Sequence, residues 1–173
     1  MTENKINEKL VEHLYSNNTT LANQALNEIG ETGNSHYIPM LIDVLHSHDD
    51  DEIREKVINI LSEVKHTDAV PLLVKAIETD KYSNIKETLV RICWENGLDY
   101  TNYFSTFVDL LIHGEYMVAF EAFTVIENSE GHISEASAIE YMNRLKDSLS
   151  DTTEDRQTLI HGIIQFLPSL IRA

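Results

Sequence analysis

Two stretches of the sequence, HYIPMLIDVLHS at residues 36–47 and DAVPLLVKAIET at residues 68–79, align without a gap. Pro39 falls on Pro71, which lies 32 residues later. The segments that follow them, EIREKVINILSEV from residue 52 and NIKETLVRICWEN from residue 84, keep the same offset of 32. Two consecutive segments that share one offset predict a structural repeat of this length.

The repeat extends in both directions with small slips. LANQALNEIGET, from residue 21, aligns with the segment that begins at Ile53. YFSTFVDLLIHG and VAFEAFTVIEN continue the pattern downstream with offsets of 34 and 33 residues. A final pair of segments, from residue 134 onward, matches more loosely, as terminal repeats often do. The whole chain, residues 1–173, is therefore expected to be a single repeat domain, clearest over 19–96 and looser over 1–18 and 132–173.

Each repeat has the pattern of two amphipathic helices. The second segment of one repeat has its apolar residues on a single helical stripe, at Ile53, Val57, Ile60, Leu61 and Val64. Strict two-residue alternation is not sustained, so no strands are expected. Proline falls in the first turn of the first helix, where its missing N–H costs little, and Ser35 and Asp68 are expected N-caps there. The predicted helices pair into five hairpins: 4–16 with 19–31, 36–47 with 51–65, 68–79 with 82–96, 100–113 with 115–128, and 134–149 with 153–171.

These residues resemble HEAT repeats, in the short bacterial variety also described as HEAT-like or PBS-lyase-like. The features that carry the resemblance are the proline-containing first helices, IPMLIDVL and VPLLVKAI, and the acidic entry to the second helix in DDDEIREKVINILSEV. Arg54 occupies the family's basic position, and Lys86 is its counterpart in the next repeat. The match is good over 19–96, weaker over 100–128 and only architectural elsewhere. The resemblance implies an all-α fold, an α-α superhelix or solenoid of about five hairpins whose second helices line the concave face.

Charge limits the classes of partner. The formal net charge is −16, with 29 acidic against 13 basic residues. Such a chain is poorly suited to the phosphate backbone of nucleic acid or to an anionic membrane surface. A basic protein or peptide is the electrostatically favoured partner; solubility alone is the competing explanation of the charge. One cysteine, no apolar leader and no long apolar run predict a reducing, cytoplasmic location without a membrane span.

The aligned columns predict which polar residues face outward on the second helices. They are Glu55, Asn59, Glu63, Glu87, Arg91, Glu95, Phe120, Glu121, Thr124 and Glu127. This face predicts a carboxylate-rich surface for a basic partner, and the alternative is an ordinary solvated face. Phe120 breaks a charged column and is either a partner anchor or buried under the following loop. Trp94 is likewise either packed under the next hairpin or an exposed anchor.

No catalytic motif is present, and no cofactor is expected. The histidines lack metalloprotease spacing, and Cys93 aligns with Leu61 and Ile126, which predicts a buried structural thiol.

The resemblance therefore implies a non-enzymatic protein–protein interaction module that serves as an adaptor, scaffold or regulator. Two alternatives stay open. One is an acidic inhibitor or immunity-type protein, or DNA mimic, that acts against a basic toxin or nuclease. The other is a lyase-like or metal-dependent enzyme subunit.

The segment HSHDDDE, residues 46–52, combines two histidines with four acids. The repeat alignment places it in the turn between two helices. There His46 would close one helix and the acids would open the next, as the helix dipoles favour, and one Asp would cap the second helix. His46, His48 and Asp50 are also a candidate site for Zn²⁺ or Ni²⁺.

The C-terminal segment LIHGIIQFLPSLIRA is unusually apolar for a terminal repeat. Its apolar residues are either buried by their own hairpin, against Tyr141, Met142 and Leu145, or form a contact between two copies of the chain. The protein is accordingly expected to be a monomer or a homodimer that pairs through this helix.

Overall fold

The apolar columns of the repeat alignment become the core of the fold. Ile53, Val57 and Leu61 are fully buried, and so are Ile85 and Leu89, the aligned residues one repeat later. These segments therefore contribute one side of their surface to packing, as the 3.6-residue period predicts. Ile60 and Val64, at the edge of the same stripe, stay partly exposed.

The structure, a computed structural model, describes residues 6–171, and over these residues it has ten α-helices and no β-strand. In chain order the helices are α1 (Glu8–Leu14), α2 (Thr19–Thr32), α3 (Ile38–Ser47), α4 (Asp51–Glu63), α5 (Ala69–Ile77), α6 (Lys86–Glu95), α7 (Phe104–His113), α8 (Tyr116–Glu127), α9 (Glu135–Ser148) and α10 (Glu154–Phe166). This confirms the all-α solenoid class, and helix–helix contacts within the pair are found for α1 with α2, α3 with α4, α7 with α8 and α9 with α10. The start of the first predicted helix, residues 4 and 5, lies outside the described residues.

Short polar side chains begin several helices, but two of the predicted caps are wrong. Asn18 Oδ1 caps α2 by accepting from the N–H groups of Thr20 and Leu21 at 3.0 and 3.3 Å. The residue that caps the turn before α3 is Asn34 rather than Ser35. Ser35 Oγ instead donates to Asp68 Oδ2, and Asp68 makes no capping bond to α5. The two predicted caps bind each other because the hairpins bring them together.

The helix α6 begins four residues later than predicted, because the chain from Asp80 to Ile85 is a 3₁₀ segment. Within this segment Tyr82 has a non-helical backbone, with φ −100° and ψ 20°. Its hydroxyl donates to Asp43 Oδ1 of α3 at 2.7 Å, and Lys81 pairs with the same carboxylate. Side-chain bonds to α3 therefore hold this connection in place.

The contacts group the chain into two compact units, Met1–Thr88 and Leu89–Ala173. The boundary falls inside α6, so the single repeat domain stays a prediction. In the second unit α10 packs against α8 and α9, and Leu159, Ile160 and Ile163 are buried. The apolar side of the C-terminal helix is thus covered within its own unit. Whether the protein is a monomer or a homodimer stays a prediction.

Arg156 of α10 ties that helix to the preceding hairpin. Its guanidinium donates to the carbonyl oxygens of Ile112 and Gly114, each at 2.6 Å, and to that of Leu111 at 3.4 Å. Leu111 and Ile112 lie in the last turn of α7 and Gly114 follows that helix, so no intrahelical N–H remains to bind these carbonyls. A cation at this terminus also complements the helix dipole. None of the helices in the described part of the chain is long and apolar enough to cross a membrane.

Candidate interaction surfaces

In the first unit, α4 presents a polar stripe opposite its buried side. Glu55, Asn59 and Glu63 are all exposed and lie one helical turn apart. Within residues 6–171, neither Glu55 nor Glu63 has an ion-pair partner. Glu87, at the start of α6, is exposed as well. The expected outward position of these four residues agrees with the structure.

A bond between second helices supports the α4 stripe. Lys56 Nζ donates to Oδ1 of Asn23 on α2 at 3.1 Å and to the carbonyl oxygen of the same residue at 3.3 Å. Lys56 thereby joins α4 to α2, and both oxygen atoms that it binds belong to neutral groups. The charge of Glu55 and Glu63 therefore remains available to a partner.

In the second unit the predicted polar face is less acidic than expected. Arg91 Nε lies 3.5 Å from Glu95 Oε1, an i,i+4 ion pair within α6. Glu127 of α8 is exposed, whereas the hydroxyl of the partly exposed Thr124 donates to the carbonyl of Phe120 at 3.0 Å. Arg91 and Glu95 therefore offset each other's charge.

The prediction of an outward Glu121 is wrong. Its side chain is only 7% exposed, and Oε2 accepts from Nε1 of Trp94 at 2.6 Å. A buried carboxylate requires a donor, and an indole N–H requires an acceptor, so each satisfies the other. Trp94 stays 36% exposed. This pairing joins α6 to α8 across 27 residues, a separation that the repeat alignment does not predict.

Phe120 is exposed, so the alternative that the following loop buries it does not hold. Its side chain is 41% exposed, and its ring stacks on Phe123 with 6.5 Å between centroids. Tyr116 and Met117, one turn earlier on α8, are exposed too. A methyl group added at Gly162 of α10 would lie 3.0 Å from the ring of Phe123, so α10 supports Phe123 and leaves Phe120 to solvent. These three residues, Tyr116, Met117 and Phe120, are called the α8 apolar patch below.

The candidate metal ligands each have another role. His46 Nδ1 lies 2.6 Å from Asn84 Oδ1, and His48 Nδ1 accepts from the N–H of Asp50 at 3.1 Å. Asp50 Oδ1 caps α4 by accepting from two N–H groups at 3.0 and 3.2 Å. Within residues 6–171, no group of three His, Cys, Asp or Glu side chains could hold a metal ion. The candidate metal site at His46, His48 and Asp50 is therefore not supported. The prediction that this segment is a turn between two helices, with an Asp that caps the second helix, is confirmed.

A polar cluster in the first unit was missed by sequence reasoning. Asp43 accepts from Lys81 and Tyr82, and the ring of His46 meets that of Tyr82 edge to face, with 5.5 Å between centroids. Burial alone would raise the pKa of Asp43, but the hydrogen bonds from Lys81 and Tyr82 outweigh it and hold that pKa below its ordinary value. Burial raises the pKa of Tyr82, and hydrogen bonding to Asp43 raises it further. The partners lie 38 and 39 residues apart, outside the 32-residue register, so no sequence signal indicates them.

The thiol of Cys93 is buried, as the alignment predicted. It is 1% exposed, and burial raises its pKa to about 12. Nearby, Asn96 Nδ2 donates to the hydroxyl of Tyr100 at 2.9 Å, and burial also raises the pKa of Tyr100. A protonated, enclosed thiol is not a nucleophile.

A family model of HEAT repeats matches residues 7–92. Through this part the chain belongs to the HEAT-repeat family, as the proline-containing first helices and the acidic entries indicated. No curated protein matches the sequence significantly. HEAT repeats generally act as protein-interaction scaffolds, and the family is typically non-enzymatic.

Proposed function

We propose that this protein is a non-enzymatic interaction module that binds a basic protein segment through exposed carboxylates on its second helices. The observation that carries the proposal is the α4 stripe, where Glu55 and Glu63 are exposed and lack ion-pair partners among residues 6–171. It stands in a HEAT-repeat segment, and the net charge of −16 adds a long-range field of the same sign.

The spacing of the stripe defines what it would bind. Glu55 and Glu63 lie eight residues apart on α4, which corresponds to about 12 Å along the helix axis. That distance exceeds the Debye length of about 8 Å at physiological salt, so each glutamate acts almost independently. A basic segment that places one cation opposite each of them gains two separate charge contacts.

Exposed charges alone bind weakly, because water and salt screen them. The α8 apolar patch supplies a different contribution, since aromatic side chains dominate the binding energy of most interfaces. Phe120 within this patch is the expected anchor for an apolar residue of the partner. The charge of the α4 stripe would set the encounter rate and the preference for basic segments. The α8 apolar patch, in the second unit, would be a separate contact that slows dissociation.

The test is a titration of the full-length protein with a fluorescein-labelled, helix-forming peptide of lysine and leucine, followed by fluorescence anisotropy. The affinity should fall steeply between about 0.01 and about 0.15 M salt, where the Debye length shortens from about 30 to about 8 Å. The variant Glu55→Gln/Glu63→Gln should bind less tightly than the parent at low salt.

The matched control is Glu8→Gln/Glu12→Gln, which removes the same charge from two exposed positions on the first helix α1. This control should bind nearly as the parent does. Equal weakening by both double variants would show that only the net charge matters. Binding that does not change with salt would remove the carboxylate surface as the site.

A further inference from the structure

The second unit contains an open cavity of about 560 Å³ at the ends of α6 and α8. Two glycines shape it. Gly97 takes a left-handed backbone, with φ 65°, which turns the chain sharply after α6. Gly131 approaches the other wall so closely that an added methyl group would lie 2.6 Å from Asp99 Oδ1. The residues that concern binding are Trp94, Asp99 and Glu130.

Trp94 presents its indole to this cavity with its polar edge already satisfied. Its N–H donates to the buried carboxylate of Glu121, and this bond limits rotation of the ring. The indole is nevertheless 36% exposed, so part of its π surface is available. An indole held in this way is the strongest aromatic partner for a cation.

Two carboxylates line the cavity together with the indole, and no basic side chain does. Asp99 uses Oδ1 to accept from the N–H and hydroxyl of Thr101 at 2.9 and 2.7 Å. Its Oδ2 has no hydrogen-bond partner within residues 6–171, and Glu130 has no ion pair there. Among the described residues that line the cavity, none is Lys, Arg or His. The cavity therefore combines negative charge, an aromatic surface and open volume.

We propose that this cavity receives one cationic side chain of the partner and that it prefers arginine to lysine. A planar guanidinium stacks on an indole while its N–H groups donate to carboxylates, and a lysine ammonium has no planar group to stack. The proposal rests on the proposed function, since it presumes a basic partner, and it adds a defined side-chain class and a defined site.

The position of the cavity relative to Phe120 also sets the distance between the arginine and the apolar anchor residue of the partner. Asn128, at the end of α8, lines the cavity, and Phe120 of the α8 apolar patch precedes it by eight residues. Eight helical residues span about 12 Å. The arginine and an apolar anchor residue of the partner should therefore lie about 12 Å apart, which is about two helical turns.

The experiment uses three helical peptides that differ at one position, which holds arginine, lysine or uncharged citrulline, with a leucine two turns away. Trp94 is the only tryptophan, so its emission reports binding at the cavity, while anisotropy of a peptide label gives the affinity. The arginine peptide should bind about tenfold more tightly than the citrulline peptide, and it should change the Trp94 emission most.

The decisive variant is Asp99→Asn/Glu130→Gln, which removes both charges. Asn keeps the Oδ1 acceptor for Thr101, so the local turn should persist. This variant should lose most of the preference for arginine over citrulline. The variant Glu55→Gln/Glu63→Gln, in the first unit, should keep both the preference and the emission change.

The possible failures are distinguishable. If Asp99→Asn/Glu130→Gln binds the arginine peptide as tightly as the parent while Glu55→Gln/Glu63→Gln binds it less tightly, the cavity is not the site and the proposed function stands. Equal affinity for the arginine and citrulline peptides, or for the arginine and lysine peptides, would likewise overturn the cavity proposal. If none of the peptides binds the parent protein at low salt, the proposed function and the cavity proposal both fail.

Discussion

Arg156 offers the sharpest test of how the second unit is held together. Its guanidinium makes two short hydrogen bonds, to the carbonyl oxygens of Ile112 and Gly114, and a longer one to that of Leu111. Arg156→Met removes these donors and keeps an apolar stem of similar length. Hydrogen bonds to charged groups contribute about 1.5–3 kcal/mol each. Arg156 is half-buried, so the lower value applies, and the two short bonds together predict a loss of about 3 kcal/mol.

The assay is urea unfolding of the full chain, followed by circular dichroism and by Trp94 fluorescence. Trp94 lies in the same unit as α7 and α10, so both signals should report the destabilisation. Arg156→Lys should lose less than Arg156→Met, because an ammonium can still bind part of this carbonyl cluster. The matched control is Arg144→Met. Arg144 pairs with Asp109, whose side chain is 56% exposed, so its loss should cost less than about 1 kcal/mol.

An Arg156→Met variant no less stable than Arg144→Met would refute this reasoning. It would mean that water replaces the guanidinium at the end of α7 without a free-energy cost. A change in the urea dependence, rather than in the midpoint alone, would instead indicate an altered unfolded or native ensemble.

Three further predictions concern the first unit and the thiol. Asp50→Ala should lower the free energy of unfolding by about 1 kcal/mol through the lost cap of α4, whereas Asp50→Asn should lose little; urea unfolding of both compares them. The carboxylate of Asp43 has a lowered pKa, so its contribution to stability is present above the ordinary value of 3.8 and is lost as the pH falls through its folded-state pKa. The stability difference between the parent and Asp43→Asn should therefore shrink below pH 3.8. A difference that stays the same during acid unfolding would contradict a stabilising role of the charged Asp43 carboxylate. The thiol of Cys93, with its pKa raised to about 12, should not react with a disulfide reagent at pH near 8 until the protein is unfolded; rapid reaction of the native protein would show that it is accessible.

Much of the fold was predictable because its signals are local. The spacing of Ile53, Val57 and Leu61 is a property of one helix, and the 32-residue offset copies that spacing onto the next repeat. Buried residues therefore fall in aligned columns, including Cys93. The Asp50 cap and His46 at the helix end were predictable for the same reason, since caps and dipoles act within one turn.

The candidate sites were predicted only in part. Glu55 and Glu63 lie outward as their helix period requires. The same period placed Glu121 outward, yet its side chain is buried and accepts a hydrogen bond from the partly exposed indole of Trp94. A column of polar residues shows which side of a helix avoids the core, but it does not show what a neighbouring helix places against that side.

By itself, the sequence determined the helices, their pairing into HEAT hairpins, the buried columns and the acidic character of the chain, because these follow from periodicity and composition. Only the tertiary structure decided the pairing of Trp94 with Glu121, the Asp43 cluster, the Arg156 cap and the cavity beside Trp94. The partners in these contacts lie 27 to 45 residues apart, mostly out of step with the repeat. They meet only after the hairpins have packed, and they form because a buried donor or acceptor without a partner is costly.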